Sequence, residues 1–183
     1  MTLRVLFLLL VSTLLGGCLV TFENPIPAEQ AAPPLLIGQW QGEDEWGEPQ
    51  FLDIRMSGSF LYRAVVSRGH PENLEGREEI AFTVAQHGRR WYLSAGVPRE
   101  WGSNFAIAGF ELTPDAELVL YNLDAERILA EVEAGRLEGK RVAMPEADGV
   151  LVSSPLKKVF EYLDDPAYAH VFIEAARYRR TGN

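Results

Sequence analysis

From Phe51 onward, apolar and polar residues alternate with a period of two, the mark of strands buried on one face. In "FLDIRM", Leu52, Ile54 and Met56 share one face, with Asp53 and Arg55 on the other. In "SFLYRAVVS", Phe60, Tyr62, Ala64 and Val66 stand opposite Ser59, Arg63 and Ser67. Ser57-Gly58 between these runs predicts a tight hairpin turn. Ile80, Phe82 and Val84 continue the alternation, and Trp91, Leu93 and Ala95 resume it after the turn "HGR". "FAIAGFEL" and "AELVLYNL" form a third pair across Thr113 to Ala116. Such a sequential antiparallel meander should curl into a barrel or a strongly bent sheet, because a flat one leaves edges and an apolar face in water.

The period changes after Leu123. "DAERILAEVEAG" predicts a helix of about three turns, with Asp124 as N-cap, Ile128, Leu129 and Val132 as its apolar stripe and Gly135 as its stop. "LEGKRVAM" and "GVLVSS" read as short strands. A second helix follows in "SPLKKVFEYLDDP", with Ser154 as cap, Pro155 at the first position and Leu156, Val159, Phe160 and Leu163 on one face. "AYAHVFIEAA" suggests a third short helix and "RYRR" a closing strand. The fold class is therefore α+β: an antiparallel β meander curled into a barrel or bent sheet, with two or three short helices in the C-terminal half.

The N-terminus follows a different pattern. Arg4 precedes an apolar run from Val5 to Leu15, softened by Ser12 and Thr13. The run is shorter than the roughly 20 residues that a membrane-spanning helix needs, and it has the flanks of a secretory signal peptide. It ends at the only cysteine, in "LGGC", Leu15-Gly16-Gly17-Cys18. This stretch resembles the lipobox of bacterial lipoproteins. The resemblance implies cleavage between Gly17 and Cys18, diacylglyceryl transfer to the Cys18 thiol and acylation of the new amino terminus. Leu19, where the family's Asp would retain a lipoprotein in the inner membrane, implies the periplasmic face of the outer membrane. More than one acyl chain makes such an anchor stable. Val20 to Pro34 holds four prolines, and is expected to be a semi-extended tether. The expected organisation is signal peptide 1–17, lipidated Cys18 and tether 18–34, and one globular domain over 35–180.

Composition narrows the function classes. At 47% hydrophobic residues the chain can build a core, and a net charge of −9 opposes binding to nucleic acid. A single cysteine forms no internal disulfide, and the three histidines, His70, His87 and His170, lie too far apart in sequence for ligand spacing. "SPLK", Ser154 to Lys157, matches the Ser-x-x-Lys nucleophile motif of penicillin-binding proteins and β-lactamases. Its partner motifs Ser-Asp-Asn and Lys-Thr-Gly are missing from the sequence, and a helix cap before Pro155 explains the pair. Glu43, Asp44, Glu45 and Glu48 lack the alternating spacing of a calcium loop and read as an exposed acidic hairpin. The sequence thus assigns no catalytic, cofactor-binding or metal-ligating residue.

"GQW", Gly38 to Trp40, at the head of the meander, resembles the Gly-x-Trp signature that opens lipocalins. That resemblance implies a barrel whose Trp closes the bottom and whose interior holds a small apolar ligand. Trp40, Phe60, Tyr62, Phe82 and Trp91 are the candidates for pocket lining or core. The region from "AGFELTPDAELVLYNLDAE" through "VLVSSPLKKVFEYLDDP" is also similar to small uncharacterised lipoproteins of Gram-negative bacteria, which carry no established activity. The leading expectation is a lipid-anchored envelope protein with a non-enzymatic role, either interaction with an envelope protein partner or envelope maintenance. A lipocalin-like carrier of a small apolar ligand is the alternative, and a hydrolase using surface carboxylates is the third. An interior cavity above about 300 Å³ would favour the carrier.

Overall fold

The computed structural model describes residues 19–181, apart from 45, 75 and 145–147. The expected signal peptide and Cys18 lie outside the described residues. Eight antiparallel strands close into a barrel. They are β2 (Gly38–Glu43), β3 (Pro49–Gly58), β4 (Leu61–Arg68), β5 (Glu78–His87), β6 (Arg90–Gly96), β7 (Phe105–Leu112), β8 (Glu117–Leu123) and β11 (Phe172–Arg180). Seven neighbours follow one another in sequence. The ring shuts where β11, after the helical insertion, pairs with β8 on one side and β2 on the other. The predicted meander is thus a closed barrel, and closure removes the sheet edges.

Alternation places two hydrophobic cores on opposite sides of the wall. Inside the barrel lie Trp40, Leu52, Ile54, Tyr62, Val66, Phe82, Val84, Phe110, Leu118 and Tyr178. On the other side of the wall, Tyr92 and Ile107 belong to a second core with α1 (Ala125–Glu133) and α2 (Leu156–Asp164). A small extra sheet completes this layer: β1 (Val20–Phe22), β9 (Gly139–Ala143) and β10 (Asp148–Val152). β1 runs parallel to β10 and touches β7 at Phe22–Phe105. The Phe160 ring of α2 sits 5.0 Å from that of Tyr92, whose hydroxyl donates to Asp164 Oδ1 at 3.1 Å. His87 stacks on the other side of Phe160 at 3.9 Å.

The expected tether is the main departure. Leu19, Val20, Thr21, Phe22 and Ile26 are all buried. Ile26 O accepts from Thr83 Oγ1 at 2.6 Å, Gln30 Oε1 accepts from Gln86 N at 2.7 Å, and Ala32 N donates to the Tyr62 hydroxyl at 2.8 Å. The compact body therefore begins at Leu19 rather than Leu35, and residues 19–34 form a strap along the barrel. Proline does not oppose this. All four prolines follow β1, whose backbone pairs with β10, and the part beyond it is anchored by side chains and isolated bonds that need few backbone donors.

Three local expectations shift. The β3–β4 loop falls on Ser59-Phe60 rather than Ser57-Gly58, because Gly58 pairs with Leu61. Phe60 takes the left-handed turn position, φ 58°, and is exposed, so it is neither pocket nor core. Asp124 caps α1 as expected, accepting from Glu126 N and Arg127 N. Ser154 does not cap α2, where Pro155 is the capping residue; the buried Ser154 hydroxyl accepts from Glu138 N at 2.6 Å. Ser154→Ala should orphan that N–H and cost about 1–3 kcal/mol in urea unfolding. The third expected helix is a 3₁₀ turn, Pro166–Val171.

Candidate functional site

One end of the barrel is shut by Trp40. Its indole N–H donates to Leu36 O at 3.1 Å, within the 3₁₀ turn Pro34–Leu36 that crosses this end. The Arg180 guanidinium lies 5.5 Å from the Trp40 ring and donates to Leu35 O at 2.7 Å and Ile37 O at 2.8 Å. Gly38 is required for this closure. Its φ is +140°, and a Cβ there would come within 2.8 Å of Arg180 Nη2. The two fixed residues of the Gly-x-Trp stretch thus have separate tasks: one clears space for Arg180 and the other seals the end.

The large aromatic side chains gather toward this closed end. Tyr62 lies 5.6 Å from Phe82, and Trp91 lies 5.9 Å from Phe110. Toward the other end the inward positions are small: Ala64 on β4, Ala95 on β6, Ala106 and Ala108 on β7, and Ala176 on β11. Large residues fill half of the lumen and alanines leave the other half open. The result is a cavity of about 390 Å³, bounded by these alanines with Leu52, Ile54, Ile80, Phe82, Leu93 and Leu120. Of the five aromatic candidates only Phe82 lines it; Trp40, Tyr62 and Trp91 belong to the packed half.

The wall is incomplete in one place. β7 pairs with β8 only from Gly109–Tyr121 to Leu112–Leu118, so Phe105 to Ala108 has no partner on β8. Leu19 and Val20 line the cavity together with Ile107 and Leu123 from this part of the wall. The strap therefore completes the cavity as well as the second core.

The cavity reaches solvent at the end that carries exposed Glu43 and Gly96, and polar groups collect there. Glu43 ends β2 and Asp44 follows it; Asp44 Oδ1 accepts from Trp46 N and Glu48 N at 3.0 and 2.8 Å. Tyr178 donates to Gln50 Oε1 at 2.8 Å, both side chains being buried. Burial pushes the Tyr178 hydroxyl up to about 12, so it remains a donor at neutral pH. Burial also raises the Glu78 carboxyl above the ordinary glutamate range, partly offset by Arg68. The Trp101 indole N–H, also at this end, is buried with no partner among the described residues. The sequence marked the acidic hairpin only as exposed; its place on the cavity rim depends on barrel closure.

The other sequence candidates do not converge. Lys157, of the Ser-x-x-Lys stretch, is exposed and lies 3.9 Å from Glu161, while Ser154 is occupied by Glu138. His70 accepts from Glu72 N in an exposed turn, and His87 stacks on α2. No cluster of His, Cys, Asp and Glu suited to a metal ion occurs among the described residues, and no helix among them is long and apolar enough to cross a membrane. The chain matches no family model, and no curated protein or solved structure matches it.

Proposed function

We propose that this protein is a lipid-anchored binder or carrier of a small apolar ligand, held in the open half of its barrel. The carrying observation is the apolar cavity of about 390 Å³, shut at one end by Trp40 and Arg180 and open at a polar rim. Ligand sites of this size and lining, with a few convergent polar groups, are typical of small-molecule binding proteins. The Gly-x-Trp resemblance supports the same reading, since Trp40 occupies the bottom-closing position that it implied. The barrel thus favours the carrier over a purely interaction-based role.

Attachment supports a carrier of membrane-derived molecules. Leu19, the residue after the expected lipidation site Cys18, lines the cavity. The attachment point and the binding site are therefore neighbours along the chain. The proposed location is the periplasmic face of the outer membrane.

Mass spectrometry of the full chain purified from membranes tests both parts. The expected spectrum shows a lipid-modified Cys18 peptide and a co-purifying apolar molecule of one kind. Cys18→Ser should abolish palmitate incorporation. Normal palmitate labelling of that variant would contradict the anchor, and purification without any apolar molecule would contradict the carrier.

A further inference from the structure

The polar rim selects a ligand class. Three carboxylates, Glu43, Asp44 and Glu78, line the cavity, and none of its described lining residues is a lysine or arginine. Glu78 follows the inward alternation of Ile80 and Phe82 on β5, and it has no ion-pair partner within 4.0 Å among the described residues. Arg68, at the end of β4, attracts it electrostatically from outside the lining. A second observation concerns Gln50, which is 5% exposed and lines the same end. Its carbonyl oxygen takes the Tyr178 hydroxyl, which leaves its amide N–H₂ without a partner among the described residues.

We propose that the cavity takes a single-chain amphiphile with a cationic amine head, its alkyl chain among the alanines and its ammonium at Glu78 and Asp44. This rests on the binder reading above and assigns the substrate class of that site. Arg68 offsets only part of the charge of the three rim carboxylates, and an incoming ammonium offsets more of it. A carboxylate head would add a fourth negative group to a rim whose three carboxylates already outnumber the nearby Arg68. The free Gln50 amide offers a donor for an oxygen beside the amine, as in an amino alcohol. The net charge of −9 attracts cations at long range as well.

The test uses the full chain in its native membranes and two photoreactive C12 probes with a diazirine on the chain, one with an amine head and one with a hydroxyl head. Unlabelled dodecylamine, dodecanol and dodecanoate compete. The expected result is labelling of peptides that contain Ala64, Ala108 or Ala176. Dodecylamine should compete at about tenfold lower concentration than dodecanoate. Glu78→Gln should lower that ratio about tenfold and leave dodecanol competition unchanged; the change in ratio between wild type and variant is read in matched membranes, so that partitioning cancels. Asp44→Asn provides a second variant if Glu78→Gln lowers the yield of folded protein. An unchanged ratio in both variants would overturn the amine assignment while the hydroxyl probe still marks the cavity. Failure of the hydroxyl probe to label these peptides would overturn the binder reading and this assignment with it.

Discussion

Deleting residues 19–34 from the full chain unfolds the body, although proline content alone marks most of this stretch as a spacer. Leu19, Val20, Phe22 and Ile26 are each at most 4% exposed. Burying such side chains is worth about 1.5–3 kcal/mol apiece, so the four together approach the roughly 5–15 kcal/mol that stabilises a whole domain. The deletion also removes the lining of the cavity beside β7 and the donor to Tyr62. A point variant isolates the effect. Phe22→Ala, in the strand between β7 and β10, should lower the unfolding free energy by about 3–5 kcal/mol in urea titration. A free spacer would tolerate both changes with no loss of stability.

The second large effect is on binding. Ala108→Trp puts an indole into the open half of the lumen, and affinity for an apolar ligand should fall by about 100-fold or more, roughly 2.7 kcal/mol. Stability should change by less than about 1 kcal/mol, because the added atoms enter existing space rather than a packed region. Ala64→Phe, on the neighbouring face of β4, should act in the same way if Ala108→Trp disturbs the β7 strand. Separation of affinity from stability distinguishes a binding cavity from a packing defect, since filling a defect alters only stability.

Much of the barrel wall was legible because its signals are local. Leu52 and Ile54 on one face and Asp53 and Arg55 on the other are set by the pleat, and both pairs lie where the alternation puts them. Asp124 caps α1 through bonds to residues two and three positions away. Trp40 at the closed end follows from the Gly-x-Trp stretch. The features that escaped depend on distant partners. β1 is three residues long and pairs in parallel with β10, about 130 residues away, so no local period marks it. Ser154 looks like a cap in a helical window, yet its partner Glu138 lies just before β9, 16 residues away. The cavity escaped for a different reason. Aromatic inward positions fit a filled barrel and a pocket equally, and only the three-dimensional register segregates them from Ala64, Ala95, Ala106, Ala108 and Ala176. The turn at Ser59-Phe60 differs because pairing of Gly58 with Leu61 carries the ladder one step further than the Ser-Gly signal suggests.

The cavity has a cost that is consistent with use. Glu78 is held partly out of water beside an apolar lumen, and the Trp101 N–H is buried without a partner among the described residues. Polar groups left in this state are disfavoured in a structure selected for stability alone, and a ligand with a polar head, as proposed, would give Glu78 a partner.

An apolar chain bound in the open half of the barrel, as proposed, would lie against the alanines of β4, β7 and β11. Peptide mapping of the full chain, photolabelled in its membranes with the hydroxyl-headed C12 probe, tests this most directly. Label is expected on the β4, β7 and β11 peptides that carry Ala64, Ala108 and Ala176, displaced by dodecanol and lost in Ala108→Trp. Label confined to the outer faces of α1 and α2, or undiminished in Ala108→Trp, would contradict it.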